Sequence, residues 1–352
     1  MVKRIGVIPG DGIGTEVAKE GVKVLEACAR RFDLPLDFTW FDYGAQKYLD
    51  EGVTLPEEAV THFRDHFQAL YVGALGDPRV PGNQHAKDIL LGLRFKLDLY
   101  VNLRPNVLLH PDLNPLRNAT ADDLTTVIFR ENTEGLYVGV GGTFKQGTPE
   151  ELATNQMICT RKGVERIMKA AFDYAAERNL RLCMSDKANV LTHAHGLWQR
   201  IFKEFQAAYP QVECRHMYAD ALAMALVRDP GAFDVIVTSN MFGDLLSDLA
   251  AELVGGLGVA PSANLNPGRI GLFEPVHGSA PDIAGQDKAN PVAMILTGGL
   301  MLDALGYGEA AKAVERAVKK AMAEGQVTAD LGGTLGTVAC GDAISGFITD
   351  GV

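Results

Sequence analysis

Two aspartates in one apolar segment are the first residues whose spacing could do chemistry. Asp244 and Asp248 stand four residues apart in the helix-like run NMFGDLLSDLAAEL. Like charges at this spacing face each other on a helix and destabilise it by about 0.2–0.5 kcal/mol. A solvated stripe, continued by Glu252, would explain the pair. A bound divalent cation would explain it as well, because the metal charge cancels the repulsion.

A third carboxylate would complete such a metal site. Asp220 lies in MYADALAMALV, where it is a polar residue in an otherwise apolar stretch. The three aspartates would form an all-oxygen ligand set of the kind that Mg²⁺ or Mn²⁺ prefers, with positions left for substrate oxygens. The pairs His193–His195 and Cys214–His216 also resemble metal ligands, but neither has the four-ligand spacing of a zinc site.

Three arginines stand where a dicarboxylate could be bound. Arg94 and Arg104 flank a mostly apolar run, and Arg130 ends the predicted strand TTVIFR. Guanidinium groups that converge could clamp the carboxylates of a substrate, although a surface salt bridge explains each arginine alone. Lys187, in SDKANV, is another charged residue in an apolar setting, which favours a buried functional role.

Two glycine-containing segments could approach a ligand. PGDGIG lacks the G-x-G-x-x-G spacing of a dinucleotide-binding turn, so a simple turn is the first interpretation. Residues 274–291, EPVHGSAPDIAGQDKANP, have neither helical nor strand periodicity, which is typical of a functional loop. His277 offers a ring for stacking, and Asp282 could accept hydrogen bonds from a diol. A purely structural loop is the alternative.

Composition narrows the possible functions. A chain of 352 residues favours two domains, and 47% apolar with 22% charged residues is typical of a soluble globular protein. The net charge of −11, without a visible basic patch, argues against nucleic-acid binding. Five scattered cysteines fit a reducing compartment, and no apolar run approaches membrane-spanning length, so we expect a cytoplasmic protein. The sequon at residues 118–120 has no meaning without export.

Strand-like and helix-like runs alternate along the chain. The predicted strands are RIGVIPG, FQALYVGAL, LTTVIFREN, LRLCMSDKANVL and FDVIVTSNMFG. Helical periodicity marks TEVAKEGVKVLEACARRF, RKGVERIMKAAFDYAAER, GLWQRIFKEFQAAY and AAKAVERAVKKAMAEG. This alternation predicts an α/β fold with a largely parallel sheet. Residues 135–158 break the pattern and indicate a glycine-rich hairpin or arm that could clasp a partner subunit.

Several segments together resemble one enzyme family. They are IGVIPGDGIGTEV, LRP, RENTEGLYVG, KANVL, NMFGDLLSDLAAELVGGLGVAPSAN and EPVHGSAPDIAGQDKANP, which span essentially the whole chain in the family's order. They are similar to those of the β-decarboxylating dehydrogenases, whose members act on isocitrate, 3-isopropylmalate, homoisocitrate, D-malate or tartrate. The resemblance implies an isopropylmalate dehydrogenase-like fold, not a true Rossmann fold, with two α/β domains sharing a central mixed sheet. Residues 1–100 and 255–352 would form the cofactor-side domain, and 101–254 the substrate, metal and dimerisation domain.

The resemblance also implies how a malate-type substrate and its metal are held. The carboxylates of a (2R)-malate would be bound by Arg94, Arg104 and Arg130, with Asp220 also at the substrate. The divalent cation, Mg²⁺ or Mn²⁺, would be held by Asp220, Asp244 and Asp248.

Two further residues would carry the proton transfers of the family's reaction. Lys187 would be the base that serves the C2 hydroxyl, and Tyr137 would return a proton to the enol carbon after CO₂ leaves. In this family the lysine and one metal aspartate, here Lys187 and Asp220, reach the site of the neighbouring subunit. The resemblance therefore implies a homodimer with shared active sites and a small dicarboxylate as the substrate.

NAD is the cofactor that the resemblance implies. The residues expected to line its site are Ile13, Gly73, Ala74, His277, Gly278, Ser279, Ala280, Asp282, Ile283 and Asn290. NADP-dependent relatives carry a Lys-Tyr pair where this chain has Asp282-Ile283. Because a carboxylate repels a 2′-phosphate and binds a free ribose diol, Asp282 favours NAD.

The helix before Arg94, AKDILLGLR, carries the substrate preference in this family. Ile89, Leu90 and Leu91 predict an apolar patch that would serve a third carboxylate poorly. The expected substrate is 3-isopropylmalate, converted to 4-methyl-2-oxopentanoate and CO₂ in leucine biosynthesis, because its isopropyl group would gain roughly 0.8 kcal/mol per buried CH₂. Lys87, where isopropylmalate enzymes usually carry a glutamate, and APSANLNP leave D-malate and tartrate as alternatives, followed by homoisocitrate and isocitrate. A non-catalytic regulatory subunit would have lost catalytic residues, and here all of them stand.

Overall fold

A computed structural model describes residues 2–117 and 124–351 of the chain. The sequon at residues 118–120 lies outside the described residues. Among the described residues, no helix combines the length and the apolar character needed to cross a membrane.

A ten-stranded sheet forms the centre of the described structure, and a separate two-stranded sheet stands apart from it. The strands are β1 Lys3–Gly10, β2 Leu36–Trp40, β3 Ala69–Ala74, β4 Val101–Val107, β5 Thr125–Glu131, β6 Gly141–Phe144, β7 Leu152–Asn155, β8 Leu182–Asp186, β9 Cys214–Tyr218, β10 Val235–Thr238, β11 Pro261–Leu265 and β12 Gly271–Pro275. Their order in the large sheet is β2-β1-β3-β12-β11-β4-β5-β10-β8-β9.

Helices cover the sheet and connect its parallel strands. They are α1 Gly14–Phe32, α2 Ala45–Glu51, α3 Glu57–His66, α4 Gln84–Lys96, α5 Arg161–Arg178, α6 Ala194–Ala208, α7 Ala219–Arg228, α8 Asn240–Glu252, α9 Val292–Ala304, α10 Gly308–Ala323 and α11 Thr337–Asp350. One apolar core lies beneath α1, α9, α10 and α11, and another packs α5 and α6 against β5, β8 and β10. The boundaries proposed for two domains stay a prediction.

The sheet is mixed, and its antiparallel part lies in the middle. The pairings β12–β11, β11–β4 and β4–β5 are antiparallel, whereas the strands on either side pair in parallel. The expected α/β fold with a central mixed sheet is confirmed, while the largely parallel sheet predicted from alternation alone is wrong at its centre. Strand β4, VNLRPNV, was not predicted although its residues alternate between apolar and polar, because Pro105 argues against a strand inside a sheet. The polar face, with Asn102, Arg104 and Asn106, is buried.

Residues 135–158 contain the predicted hairpin. Strands β6 and β7 pair in antiparallel fashion, and every residue of both strands is exposed. The side chains of Phe144 and Leu152 are 65% and 57% exposed. A two-stranded hairpin that carries large apolar side chains into solvent needs a surface to cover it, because isolated hairpins are marginally stable in water.

The contact between α1 and β3 gives a first prediction about packing. The Oη of Tyr71, which is fully buried, donates to the carbonyl of Met294 at 2.5 Å. A Cβ added at Gly21 of α1 would lie 2.1 Å from that Oη. We expect Gly21→Ala to lower the free energy of unfolding by about 1–3 kcal/mol, because Tyr71 must move in a closely packed core.

Gly346 provides the matched control for this substitution. It also lies within a helix, α11, but a Cβ there would meet no atom within 4 Å. Gly346→Ala should leave stability unchanged or raise it by up to about 1 kcal/mol, because alanine favours the helix. Urea unfolding of both variants measures the difference, and equal effects would contradict the packing described for Tyr71.

Candidate active site

Two buried arginines of the central strands β4 and β5 meet two aspartates of α8. Arg104 of β4 donates to Asp248 Oδ1 at 3.0 Å and to Asp244 Oδ1 at 3.3 Å. Arg130 of β5 donates to the same Asp244 oxygen at 2.5 Å. The repulsion between the two aspartates of α8 is therefore offset by two guanidinium groups. The two arginines lie 26 positions apart in the sequence.

A glycine lets Arg130 lie against α8. A Cβ at Gly243 would be 2.5 Å from Arg130 Cγ, so a larger residue would displace the arginine. Arg130 Nε also donates to Asn240 Oδ1 at 3.0 Å, near the start of the helix. Neither contact was predicted from the sequence, although a glycine next to an aspartate in a helical run is an unusual choice that could have indicated it.

Tyr137 joins this cluster from a short turn after β5. Its hydroxyl donates to Asp244 Oδ2 at 3.0 Å, and the guanidinium carbon of Arg130 lies 5.5 Å from the ring centroid. Burial raises the pKa of Tyr137, and the neighbouring Asp244 raises it further. The phenol therefore stays protonated at neutral pH.

Arg94 approaches from α4 and is held by a buried network. Its Nη2 donates to Glu274 Oε1 at 2.7 Å, and the same oxygen accepts from Asn264 Nδ2 at 2.8 Å. Asn264 Oδ1 in turn accepts from Asn102 at 3.0 Å and from Asn132 at 2.9 Å. This amide network links the strand that carries Arg104 to the helix that carries Arg94, and sequence reasoning did not find it.

The cluster is electrically balanced and partly desolvated. Burial lowers the pKa of Arg104, and burial together with Arg104 lowers the pKa of Arg130 to about 9, although Asp244 opposes this. Both remain charged at neutral pH. Burial raises the pKa of Asp248, while Arg104 pulls it back. Because a desolvated cation attracts an anion more strongly than a hydrated one, the arginines are suited to bind a carboxylate.

Lys187 and Asp220 form a separate pair. Lys187 Nζ lies 2.7 Å from Asp220 Oδ2 and 5.8 Å from the centroid of the Tyr218 ring. The hydrogen bond from Lys187 lowers the pKa of Asp220. Within the part of the chain that the structure describes, no hydrogen bond or ion pair joins this pair to Asp244 or Asp248, and no group of three or more acidic, histidine or cysteine side chains could hold a metal.

The donor set of one chain therefore fits a divalent cation only in part. The side chains of Asp244 and Asp248 are 33% and 50% exposed, so carboxylate oxygens face solvent beside the arginines. Oxygen ligands suit Mg²⁺ or Mn²⁺. The third predicted ligand, Asp220, is 65% exposed and lies with Lys187.

Three of the predicted cofactor segments lie together at the ends of β1, β3 and β12. The N–H of Ile13 donates to the carbonyl of Ser279 at 2.9 Å, and the N–H of Asp11 donates to the carbonyl of Ala74 at 2.6 Å. A Cβ at Gly73 would lie 2.3 Å from the carbonyl oxygen of Pro9. The glycine-rich turns are thus needed for close approach of backbone segments, as the simple-turn interpretation expected.

The other predicted cofactor residues differ in their solvent exposure and in whether their side chains are already hydrogen-bonded. Gly278 and Asp282 are exposed, whereas Ala280 and Ile283 are partly buried. The amide of Asn290 is occupied: it donates to Asp330 at 2.9 Å and accepts from the N–H of Val292 at 2.9 Å. The side chain of Asn290 therefore stabilises the loop, and only the backbone segment around it remains near the predicted cofactor cleft.

Asp11 and His85 make a junction that the sequence did not predict. Asp11 accepts the N–H of Ala45 at 2.6 Å and that of Gly76 at 2.8 Å, and it lies 2.7 Å from His85 Nε2. His85 is fully buried at the start of α4. The aspartate of PGDGIG thus ties the turn after β1 to α2, to the turn after β3 and to the helix that carries Arg94.

The predicted apolar patch on α4 is smaller than expected. Ile89 is fully buried in a core with Phe63 and Leu93, so it does not face a substrate. Leu90 and Leu91 are partly exposed, and the exposed Lys87 precedes them on the same helix. The two leucines, one turn before Arg94, are what remains of the patch.

Comparison with known proteins identifies the family. Residues 4–345 match the family described as isocitrate/isopropylmalate dehydrogenase. The chain is 47% identical over 346 residues to the 3-isopropylmalate dehydrogenase of Thermobifida fusca, covering 97% of this chain and 96% of that protein. It is 44% identical over 347 residues to the 3-isopropylmalate dehydrogenase of Nocardia farcinica, covering 98% and 100%.

Solved structures of similar fold agree with this assignment. Isocitrate dehydrogenase from Methylococcus capsulatus superposes with a TM-score of 0.88 at 37% identity and covers 99% of this chain and 100% of that chain. A β-decarboxylating dehydrogenase from Thermococcus kodakarensis gives 0.80 at 38% identity, with 99% and 97% covered. These features define the class of protein: a dehydrogenase fold with an arginine–carboxylate cluster at its centre. The chain belongs to the isocitrate/isopropylmalate dehydrogenase family, and it is an oxidoreductase.

The histidine of the cofactor-side loop gives a prediction about pH. Burial lowers the pKa of His277, and its Nε2 has no hydrogen-bond partner within the described part of the chain. A histidine whose folded pKa is lowered contributes stability above its unfolded pKa of about 6.5 and loses it as the pH falls through the folded value. His277→Phe should therefore lose less stability than wild type below about pH 6.5, by at most ~1.4 kcal/mol per pH unit.

Urea unfolding at several pH values measures this difference. His66→Phe, at an exposed histidine of α3, is the control and should follow the wild-type pH dependence. Parallel curves for His277→Phe and wild type would contradict a buried neutral His277.

Proposed function

We propose that this protein catalyses the NAD- and divalent-metal-dependent oxidative decarboxylation of 3-isopropylmalate to 4-methyl-2-oxopentanoate and CO₂, a step of leucine biosynthesis. The observation that carries the proposal is the convergence of Arg104, Arg130 and the Tyr137 hydroxyl on Asp244, with the hydroxyl 3.0 Å from that carboxylate. The charge of Arg94, which is held by Glu274, acts on both of these arginines. The names of the relatives at 44–47% identity support the substrate.

The arginines would bind and orient the substrate. Buried guanidinium groups bind carboxylates in fixed geometry, so the two carboxylates of a malate would be held with the C2 hydroxyl facing the aspartates of α8. Leu90 and Leu91, one turn before Arg94, would cover the isopropyl group. A third carboxylate at that position would meet no cation on the same turn of α4 except the exposed Lys87.

Proton transfers would be carried by two side chains. Lys187 would accept the proton of the C2 hydroxyl, and its pair with Asp220 would hold the amine in place. Tyr137, whose raised pKa keeps it protonated, would donate a proton to the carbon left by CO₂. When bound, NAD supplies the hydride acceptor and the divalent cation supplies Lewis-acid chemistry at the substrate oxygens. Asp220, Asp244 and Asp248 would hold the cation.

The cofactor would lie against the junction of the turns after β1, β3 and β12. The exposed Asp282 would accept hydrogen bonds from the adenosine ribose, and its charge would disfavour NADP. Ile13, Gly73, Ala74 and Ser279 would line the cleft through their backbone. His277, Gly278, Ala280, Ile283 and the segment at Asn290 complete the proposed site.

A homodimer would unite the two clusters. Large apolar side chains are exposed on the helices that carry the aspartates, with Met224 of α7 at 64% and Leu245 of α8 at 62%. The exposed hairpin of β6 and β7 adds to this surface. Association through these faces would bury them and would place Lys187 and Asp220 of one chain in the site of the other. The free cysteines suit the cytoplasm.

D-malate and tartrate are the second candidate substrates. Lys87 stands where isopropylmalate enzymes usually carry a glutamate, and it is exposed one turn before Leu90 and Leu91. Homoisocitrate and isocitrate follow, because the leucines offer no partner for their additional carboxylate. A regulatory subunit without turnover is the alternative from another functional class.

The substrate assignment is tested by NADH formation in the presence of Mn²⁺. The panel is (2R,3S)-3-isopropylmalate, D-malate, L-tartrate, isocitrate and homoisocitrate, with EDTA and NADP⁺ as controls. We expect 3-isopropylmalate to lead in kcat/KM by about tenfold or more, ~1.4 kcal/mol of transition-state preference, and EDTA to abolish turnover. Precedence of D-malate or tartrate would overturn the substrate, and no turnover on any of them would overturn the enzymatic proposal.

Shared active sites are tested by mixing two inactive variants. Lys187→Met removes the proposed base and Asp244→Asn removes a proposed metal ligand, so each homodimer should be inactive. A mixed dimer has one site with both defects and one intact site, and random mixing after refolding makes about half of all dimers mixed. The mixture should recover about a quarter of wild-type activity if sites are shared between chains.

The control is a mixture of Tyr137→Phe with Asp244→Asn. Both side chains belong to the same cluster, so no mixed dimer contains an intact site and no activity should return beyond that of the two variants alone. Full activity of Lys187→Met by itself would refute its proposed role. No recovery in the first mixture would refute sharing.

A further inference from the structure

The backbone around Lys187 is held by its own loop and by one side chain. Lys187 follows β8 directly, and its carbonyl accepts the N–H groups of Val190 at 3.0 Å and Leu191 at 2.8 Å. Its N–H donates to Nδ1 of His195 at 2.7 Å. The N–H of His195 donates back to the carbonyl of Leu191 at 2.9 Å. The lysine is thus fixed between a tight turn and an imidazole.

The His195 ring is built into the core. It lies in the first turn of α6 with 0% exposure. Its centroid is 5.5 Å from that of Phe242, edge to face, and Phe242 lies two residues before Asp244 on α8. The ring therefore contacts both the loop that carries Lys187 and the helix that carries the aspartates.

The hydrogen bond defines the form of the imidazole. Nδ1 can accept from Lys187 only if it carries no proton, so the proton of a neutral ring lies on Nε2. Nε2 is buried and has no hydrogen-bond partner among the residues that the structure describes. A buried donor without a partner costs free energy, on the order of 1–3 kcal/mol, and a phenylalanine or leucine would avoid that cost. The polar ring is retained at this cost because the Lys187 N–H would otherwise lose its acceptor.

We propose that His195 is a positioning residue for Lys187: it fixes the lysine backbone so that the ammonium group projects from its loop in one direction. The inference rests on the proposed function, in which Lys187 is the base. A lysine side chain has several rotatable bonds, so its reach is reproducible only if its own backbone is fixed. Misplacement of a reacting group by about 1 Å can cost on the order of 100-fold in rate.

Three substitutions of His195 test this role. His195→Asn keeps an acceptor close to the position of Nδ1, His195→Gln moves the amide one bond farther, and His195→Leu removes the acceptor. His193→Asn is the matched control, because His193 is exposed two residues away and its side chain makes no hydrogen bond among the described residues. Two readouts are taken for each: steady-state kinetics with 3-isopropylmalate and NAD⁺, and hydrogen exchange of the Lys187 amide.

The expected result is that kcat falls only in variants that lose the hydrogen-bond acceptor for the Lys187 N–H. His195→Leu and His195→Gln should lower kcat about 10–100-fold with KM changed less than about threefold, while His195→Asn stays within about threefold of wild type. The Lys187 amide should exchange at least about tenfold faster in the Leu and Gln variants and stay protected in the Asn variant. His193→Asn should match wild type in both readouts.

Several outcomes would overturn the inference. They are wild-type kcat in His195→Leu, an Asn variant no better than the Gln variant, or unchanged amide protection in all variants. If His195→Leu does not fold, the comparison of Asn with Gln decides. If wild type does not oxidise 3-isopropylmalate, the proposed function fails, and the amide exchange still decides whether His195 holds the Lys187 backbone.

Discussion

The pairing of Arg104 and Arg130 with Asp244 and Asp248 is the interaction around which the molecule is arranged. Three cations, including Arg94, face three carboxylates, including Glu274, within a partly buried region. Removing Asp244 would leave the buried Arg130 without its carboxylate partner in a medium of low dielectric constant, which is costly. A dianion that draws the arginines away would leave the aspartates unbalanced, and a divalent cation would restore the balance. Electrostatics therefore favour joint binding of a dicarboxylate and a metal ion.

The mixed sheet follows from the need to bring these charges together. Strands β4 and β5 run antiparallel, with Asn102 opposite Arg130, so two arginines from distant parts of the chain lie on neighbouring strands. β10 pairs with β5 in parallel and leads directly into α8. The apolar cores on either side hold these strands in place, and the hydrogen-bonded network through Asn264 lies between them.

How much of the fold and of the candidate site could be predicted from the sequence depended on what each residue contacts in the structure. Helix α5 was predicted with its observed bounds because its apolar residues repeat with helical periodicity against a core. Strand β4 was missed although VNLRPNV alternates between apolar and polar residues, because a proline within the run, Pro105, argues against a central strand. The residues assigned to substrate, metal and proton transfer were placed by family resemblance, and the structure locates them in two clusters. The Asp11–His85 junction and the role of Gly243 depend on contacts between distant segments, so no local sequence pattern predicted them. The hydrogen bond from Lys187 to His195 spans only eight residues, but it depends on how the loop folds back onto α6.

The exposed hairpin of β6 and β7 has a consequence for how the protein is made. A sheet of two four-residue strands is marginally stable in water, so a surface that covered the hairpin would stabilise it. If that surface is a second copy of the chain, the last step of folding is an encounter between two molecules. Newly synthesised chains would then gain activity at a rate that depends on their concentration. At low concentration the unpaired chain would persist longest, with Phe144 and Leu152 exposed to solvent, where they favour aggregation.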